Sequence, residues 1–505
     1  MRRDERELPP TSPEINRSGL IYVPISPTDR PFDYAARWSQ GPAGHGGGAA
    51  RYNRSTSSVG SAPSSTQMRN IDYRETVMIR RPRFNRLFSI PASVLVGLVA
   101  FAMMQSASAV ESQSEWTRFR GPNGSGVSNA TTIPTKFTEK DYNWKIKVPG
   151  VGYGSPVIWG KKVFVVSANP KTAERHLVCL STTDGSITWT KSFASQPYRL
   201  HKFNNYGTTT PAVDKDRVYM YWATEKTVSV AAIDHAGKEV WQRDLGPFKS
   251  SHGGGTSPML YKDMVIVTND QVGKSFLVAL DAKTGEDRWR IARKSVKNGT
   301  AYAVPCIYSP KGGKPQLIFA SRADGMIGVN PETGKPIWEL SDLFDLRVVS
   351  SPVIASGLVF GTCGQGGGGT RFVAVRPGSP DSAGSAKVVY DKKKAIPYVT
   401  TPVAYGDLLF TINDGTGVAT CFHAPSGDVK WQKRLDGSFF GSTVCVNGVI
   451  YSINKEGDVV IFKAADKFEL LSVHALGEKS YSTPAIAGGR MYLRTENHLV
   501  SIGGK

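Results

Sequence analysis

The sequence predicts an all-β fold: an eight-bladed β-propeller of four-stranded antiparallel blades, its last blade closed by the N-terminal strand. Three observations predict it. A turn glycine followed four residues later by tryptophan recurs along the chain. A Ser/Thr-Pro step ahead of two apolar runs recurs at a similar period. The two ends of the repeating region each hold part of one blade.

The first landmark is LSTTDGSITW, IDHAGKEVW, LDAKTGEDRW, VNPETGKPIW and FHAPSGDVKW, ending at Trp189, Trp241, Trp289, Trp338 and Trp431. The gaps are 52, 48, 49 and 93 residues, so the last conceals one more copy. RPGSPDSAGSAKVVYD fills it, with Tyr390 in the tryptophan position, and FKAADKFELL around Leu470 has lost both glycine and tryptophan. The second landmark falls at Pro156, Pro211, Pro258, Pro305, Pro352, Pro402, Val444 (no proline) and Pro484. Apolar alternation and glycine-bearing turns between these marks read as four short strands per unit.

Closure follows from the ends. HLVSIGGK supplies a third strand and no fourth, while NWKIKVPG places Trp144 in a fourth-strand position ahead of the first Pro step. Pairing the two leaves no free blade, which removes sheet edges that would otherwise template aggregation.

Each repeat residue has a physical task. Glycine supplies the positive φ of a tight hairpin between third and fourth strands, and the Asp accepts backbone amide hydrogens there. The indoles of Trp144, Trp189, Trp241, Trp289, Trp338 and Trp431 offer flat apolar area between adjacent blades, a structural role that needs no cofactor.

Residues 1–77 are rich in Arg, Ser, Gly and Pro without apolar periodicity, so disorder is expected. No lysine precedes Lys136, which suggests a miscalled start with Met78 as the true beginning. Residues 78–109 read as a signal peptide: Arg80, Arg81, Arg83 and Arg86, an apolar run from Leu87 to Met104, and the small-x-small site Ala107-Ser108-Ala109. The rival reading is an uncleaved inner-membrane anchor. Residues 110–140 form a lead-in segment and 141–505 the propeller. Export to the periplasm or beyond is expected, and a monomer.

The net charge is +20, of which 14 arginines against 8 acids fall before residue 110. The remaining lysines are scattered over hairpins rather than clustered, so nucleic-acid binding is not expected. Association with anionic membrane surface or acidic glycan is the basic chain's alternative to plain solubility. Cys179, Cys306, Cys363, Cys421 and Cys445 have neither metal spacing nor a C-x-x-C pair and read as buried thiols.

Candidate site residues come from the polar loops between second and third strands, which share one face of a propeller with the fourth-to-first connections. They are Asn269 and Asp270, Arg322 and Asp324, Asn413 and Asp414, Asn454 and Glu456, and Glu496. Acids and amides gathered near an axis could hold Ca²⁺ or a polar ligand, although the same residue types also serve as turn formers. His201 and His252 fall on fourth-to-first loops of that face, and GQGGGG at 364–369 makes an adaptable hairpin tip. VGKS at 272–275 is no phosphate loop, because Thr268 stands where the upstream glycine is required.

LVALDAKTGEDRW and HLVCLSTTDGSITW resemble the quinoprotein, or PQQ-like, β-propeller repeat. EWTRFRGPNGSGVS ahead of the first blade is similar to the opening of exported bacterial proteins of this class. The resemblance runs from about Trp116 to the C-terminus and implies one of two functions. A PQQ-dependent alcohol or polyol dehydrogenase would hold the quinone on the axis with Ca²⁺, beside a catalytic aspartate and often against adjacent cysteines. A BamB-type scaffold of outer-membrane assembly would bind an envelope protein or polymeric ligand through its loops. About 396 residues from Val110, no long insertions and no adjacent cysteines favour the scaffold.

Overall fold

The computed structural model describes residues 114–296, 299–379 and 386–504. The tail and the expected signal peptide lie outside them. Among the described residues, eight sheets each carry four antiparallel strands, in chain order in blades 1 to 7. Blade 1 comprises Val157–Trp159, Lys162–Ala168, Arg175–Ser181 and Ile187–Phe193. Blade 2 runs from Ala212–Val213 to Glu239–Asp244, blade 3 from Met259–Tyr261 to Asp287–Arg293, and blade 4 from Cys306–Tyr308 to Pro336–Leu340. Blade 5 extends from Val353–Ala355 to Lys387–Lys392, blade 6 from Val403–Tyr405 to Val429–Arg434, and blade 7 from Val444–Val446 to Leu470–Ala475.

Blade 8 takes Ala485–Ala487, Arg490–Arg494 and His498–Gly503 from the C-terminal end and Tyr142–Lys147 from the other. The joint is antiparallel, with Trp144 opposite Ser501, so the expected closure is present. Second and third strands are buried on both faces between neighbouring blades, and Met264–Asn269 is buried at every position. Fourth strands alternate, as Glu239–Asp244 does. Continuous apolar runs inside and alternation at the rim follow from those two environments.

The tryptophans join blades, and Trp144, Trp189, Trp241 and Trp289 each rest on a glycine of the next blade's hairpin. Trp241 Nε1 donates to the Ala282 carbonyl in the blade 3 hairpin at 3.0 Å. Trp144, Trp189, Trp289 and Trp431 donate to Thr182, His235, Pro331 and Ala465 of their next blades at 2.8–3.1 Å. Tyr390 does the same through its hydroxyl to Ala424, at 2.6 Å. Trp338 instead reaches Gln316 at 2.7 Å, and the Gln316 amide passes the link to Gly378 of blade 5. Gly285 shows why the turn residue is glycine: its φ is +77°, and a Cβ there would stand 2.8 Å from the Trp241 ring.

The five cysteines are buried free thiols.

A second ring runs nearer the axis. The residue just before each Pro step offers its hydroxyl oxygen to the backbone N–H of the equivalent residue one blade earlier. Ser155 donates to Thr210, Thr210 to Ser257, Val304 to Ser351, Ser351 to Thr401, Thr401 to Ser442, Ser442 to Thr483, and Thr483 back to Ser155. The distances are 2.9–3.1 Å. One link of eight is missing, where Val304 stands in place of a hydroxyl. The ring also places Ser442 in register, so Thr443 rather than Val444 takes the proline position in blade 7.

The lead-in segment crosses the far end of the axis. Trp116 exchanges two backbone bonds with Ile158 of blade 1, and the Thr117 carbonyl accepts from Val213 of blade 2. Buried Arg118 reaches Met259 Sδ and the Pro305 carbonyl of blades 3 and 4. Arg120, fully buried, donates to the carbonyls of Thr401, Pro402 and Thr443 in blades 6 and 7, and to Gly124 and Ser125. Val127–Ser128 then adds a parallel strand to blade 7, and Thr132 bonds Gly489 of blade 8. A run of left-handed residues, Arg120, Gly121, Asn123, Gly124 and Gly126, lets RGPNGSG coil tightly.

Candidate functional site

The plugged axis leaves a cavity of about 510 Å³ on the opposite face, within the ~300–1,000 Å³ span of small-molecule sites. Phe119 of the lead-in segment and the hydroxyl ring line its inner end. Every one of the eight fourth-to-first connections contributes to its wall, with Gly366 and Gly367 of the blade 5 hairpin tip reaching its rim.

One wall is aromatic. Tyr153 and Tyr481 lie 4.5 Å apart between ring centroids, Phe440 meets Tyr481 at 5.1 Å, and Phe203 meets Phe440 at 5.2 Å. The Lys455 ammonium sits over Phe440 and Phe203 at 4.5 and 5.0 Å. The other wall is nitrogenous. His201 stacks on His252 at 4.9 Å, and Arg347 donates to His252 Nδ1 and to the Tyr398 hydroxyl, both at 2.9 Å. Burial, then the charge of Arg347, then His201 hold His252 down at about 4. Burial, Arg347 and Lys202 lower His201 in the same way. Both imidazoles are therefore neutral near pH 7, and the cavity's charges are those of Lys202 and Arg347. No Asp or Glu lines it.

The nine loop residues proposed from sequence stand behind this lining rather than in it. Asp270 and Asp324 converge on buried Arg293 at 2.9 and 3.0 Å. Asn269 is buried beside Asp270, against a small void under Tyr302, and Arg322 is half-buried on the same hairpin as Asp324. Asp414 accepts the N–H groups of Tyr398, Val399 and Thr400 at 2.7–2.8 Å, and Asn413 donates to Ile396. These two fix the loop that presents Tyr398. Glu496 accepts from the Tyr153 hydroxyl at 3.1 Å and pairs with Lys479. Asn454 bonds Asp458, and Glu456 lies against Gly437. His201, His252 and the glycine tip do reach the cavity.

Sequence reasoning missed Arg347, Tyr302, Tyr398, Phe440 and Tyr481. A signal was present for Tyr302, Phe440 and Tyr481, though not for Arg347 or Tyr398. Three positions before each Pro step stand Tyr153, Thr208, Gly255, Tyr302, Val349, Val399, Phe440 and Tyr481, and all eight line the cavity.

The residues do not suit a Ca²⁺-bound quinone. Ca²⁺ takes oxygen ligands rich in carboxylate, and the nearby carboxylates are spent on backbone amides, Arg293, Lys479 and a tyrosine. Among the described residues, no three of His, Cys, Asp and Glu are grouped to hold a metal. Adjacent cysteines are absent from the sequence.

Fold and repeat together define a propeller of the PQQ-like class. Within it, the chain belongs to the family described as outer membrane protein assembly factor BamB, whose model matches residues 137–309, 202–433 and 415–502. No curated protein matches it. Similar solved structures include quinohemoprotein alcohol dehydrogenase from Comamonas testosteroni (TM-score 0.58, 13% identity, 77% of this chain and 80% of that one). A europium-containing methanol dehydrogenase aligns with TM-score 0.56 at 12% identity over 76% of this chain and 90% of its own. BamB from Moraxella catarrhalis aligns with TM-score 0.50 at 12% identity over 71% and 95%. At these identities the likeness is one of fold.

Proposed function

We propose that the protein is a non-catalytic binding or scaffold module of the bacterial cell envelope, exported by the segment at 78–109, with the axial cavity as its ligand site. The observation that carries this reading is the lining: all eight blades contribute, and none contributes a carboxylate. Oxidation of an alcohol needs a base to take the hydroxyl proton and a centre to take the hydride. The family's description supports the scaffold, and the loop face supplies a rim through which an envelope protein or polymer would be held. Among the described residues no helix is long and apolar enough to cross a membrane.

The test is an oxidation assay on the full chain with PQQ, Ca²⁺, a panel of alcohols and polyols, and an artificial electron acceptor. No turnover above the protein-free control is expected. Turnover that disappears when Ca²⁺ is chelated would overturn this reading in favour of a quinoprotein oxidoreductase.

A further inference from the structure

We infer that the axial cavity binds a carboxylated saccharide, a uronate unit, with its ring on the aromatic wall and its carboxylate at Arg347. The inference rests on the binding reading above and names the ligand class of the same site.

Three features meet in this cavity. The first is the floor. Ser155, Thr210, Ser257, Ser351, Thr401, Ser442 and Thr483 each accept a backbone N–H, and among the described residues none passes its own hydroxyl proton to a protein acceptor. Seven unspent O–H donors in a ring suit a ligand with many hydroxyl acceptors, because each hydroxyl can also accept in return. The second is the wall of Tyr153, Tyr481, Phe440 and Phe203. Pyranose rings present a face of C–H bonds, and the electron-rich face of an aromatic ring receives such weakly positive hydrogens. A purely apolar ligand would use this wall and waste the floor.

The third feature is charge. Arg347 is held between His252 and Tyr398 through one Nη and its Nε, and it is the planar, always-charged donor that pairs best with a carboxylate. Lys202 also lines the cavity, with its ammonium over the Phe203 ring at 5.1 Å, and no acid in the lining opposes either cation. The neutral imidazole of His201, whose Nδ1 accepts the Phe203 N–H, leaves its Nε2–H as a donor without adding charge. A neutral sugar would leave Arg347 without an anion in a cavity closed at its inner end.

The test is calorimetry on the full chain at pH 7 and low salt, with galacturonate, trigalacturonate and the methyl ester of trigalacturonate as probes. Trigalacturonate is expected to bind at least about tenfold more tightly than its ester, since a charge-assisted bond exceeds a neutral one by roughly that factor. Arg347→Gln should erase the difference between acid and ester. Lys202→Gln, at an exposed residue whose ammonium meets only the exposed ring of Phe203 among the described residues, should narrow it with the fold intact. Phe440→Ala should weaken acid and ester alike. Tight binding of the monomer would identify a free sugar acid as the source, and binding of the trimer alone a polymer end. Equal affinity for acid and ester, no binding of any probe, or an acid preference that survives both charge variants would overturn the inference. Those failures leave the binding reading standing, whereas Ca²⁺-dependent turnover with PQQ removes that reading itself.

Discussion

Trp241 and Gly285 form one joint made from two blades. The indole needs a surface without a Cβ, and the hairpin needs a residue at φ +77°. Trp241→Ala removes a large, partly buried ring and its bond to Ala282, and the loss should be about 2–3 kcal/mol in urea unfolding, below the range of fully buried aromatic truncations. Gly285→Ala should cost less, about 1–3 kcal/mol, by strain and by displacing the ring. An unchanged midpoint in either variant would mean the joint is not where blade packing is decided. This part of the molecule was legible from residues alone, because glycine and tryptophan recur at fixed offset. What could not be read was that each glycine serves the tryptophan of the preceding blade. The loss of the tryptophan near Leu470 then has a cause. Blade 8 has no hairpin between its third and fourth strands, so blade 7 has nothing on which to rest an indole. Residues of the lead-in segment cover that edge instead, Ser472 donating to Thr135 and His474 packing on Phe137.

The hydroxyl ring and the lead-in plug are elements that share one task, holding eight short inner strands around an axis. Val304 breaks the ring, and Val304→Thr supplies the missing acceptor while keeping a methyl group. The variant should be as stable as the parent or up to about 1 kcal/mol more so, read as a urea midpoint. A clear loss would show that the link is not wanted at blade 4. Arg120→Met is the opposite case. It leaves the carbonyls of Thr401, Pro402 and Thr443 without their donor and should cost about 3 kcal/mol or more, measured by thermal unfolding. The plug was only half legible. RFRGPNGSG reads as loop because its glycines forbid regular structure, and nothing in its composition says that the loop is buried. Two arginines in a glycine-rich stretch look solvent-exposed until backbone carbonyls from three blades and the Met259 sulfur of a fourth are placed around them.

For the whole molecule, the axial cavity was the least legible part, since its lining is assembled from single residues about 40–55 positions apart. The Pro steps mark the period, while the residues three before them share no residue type that would mark a lining. Polar loop residues attracted attention because acids and amides look like ligands, yet Asp414 and Glu496 are used to hold Tyr398 and Tyr153 in place. The cavity also has a pH signature. His252 stays neutral in the fold down to about 4, while an unfolded histidine takes its proton near pH 6.5. Stability should therefore fall as pH drops from about 6.5 to 4, where the unfolded chain binds a proton that the fold refuses. His252→Gln should flatten part of that fall in urea midpoints taken at pH 7 and 4.5, and an unaltered slope would place the histidine in open solvent. The central claim, a binding propeller whose axial cavity is not a quinone site, is tested most directly by titrating the full chain with PQQ in the presence and absence of Ca²⁺. No tight, stoichiometric, Ca²⁺-dependent complex is expected. Such a complex, lost on chelation, would contradict it.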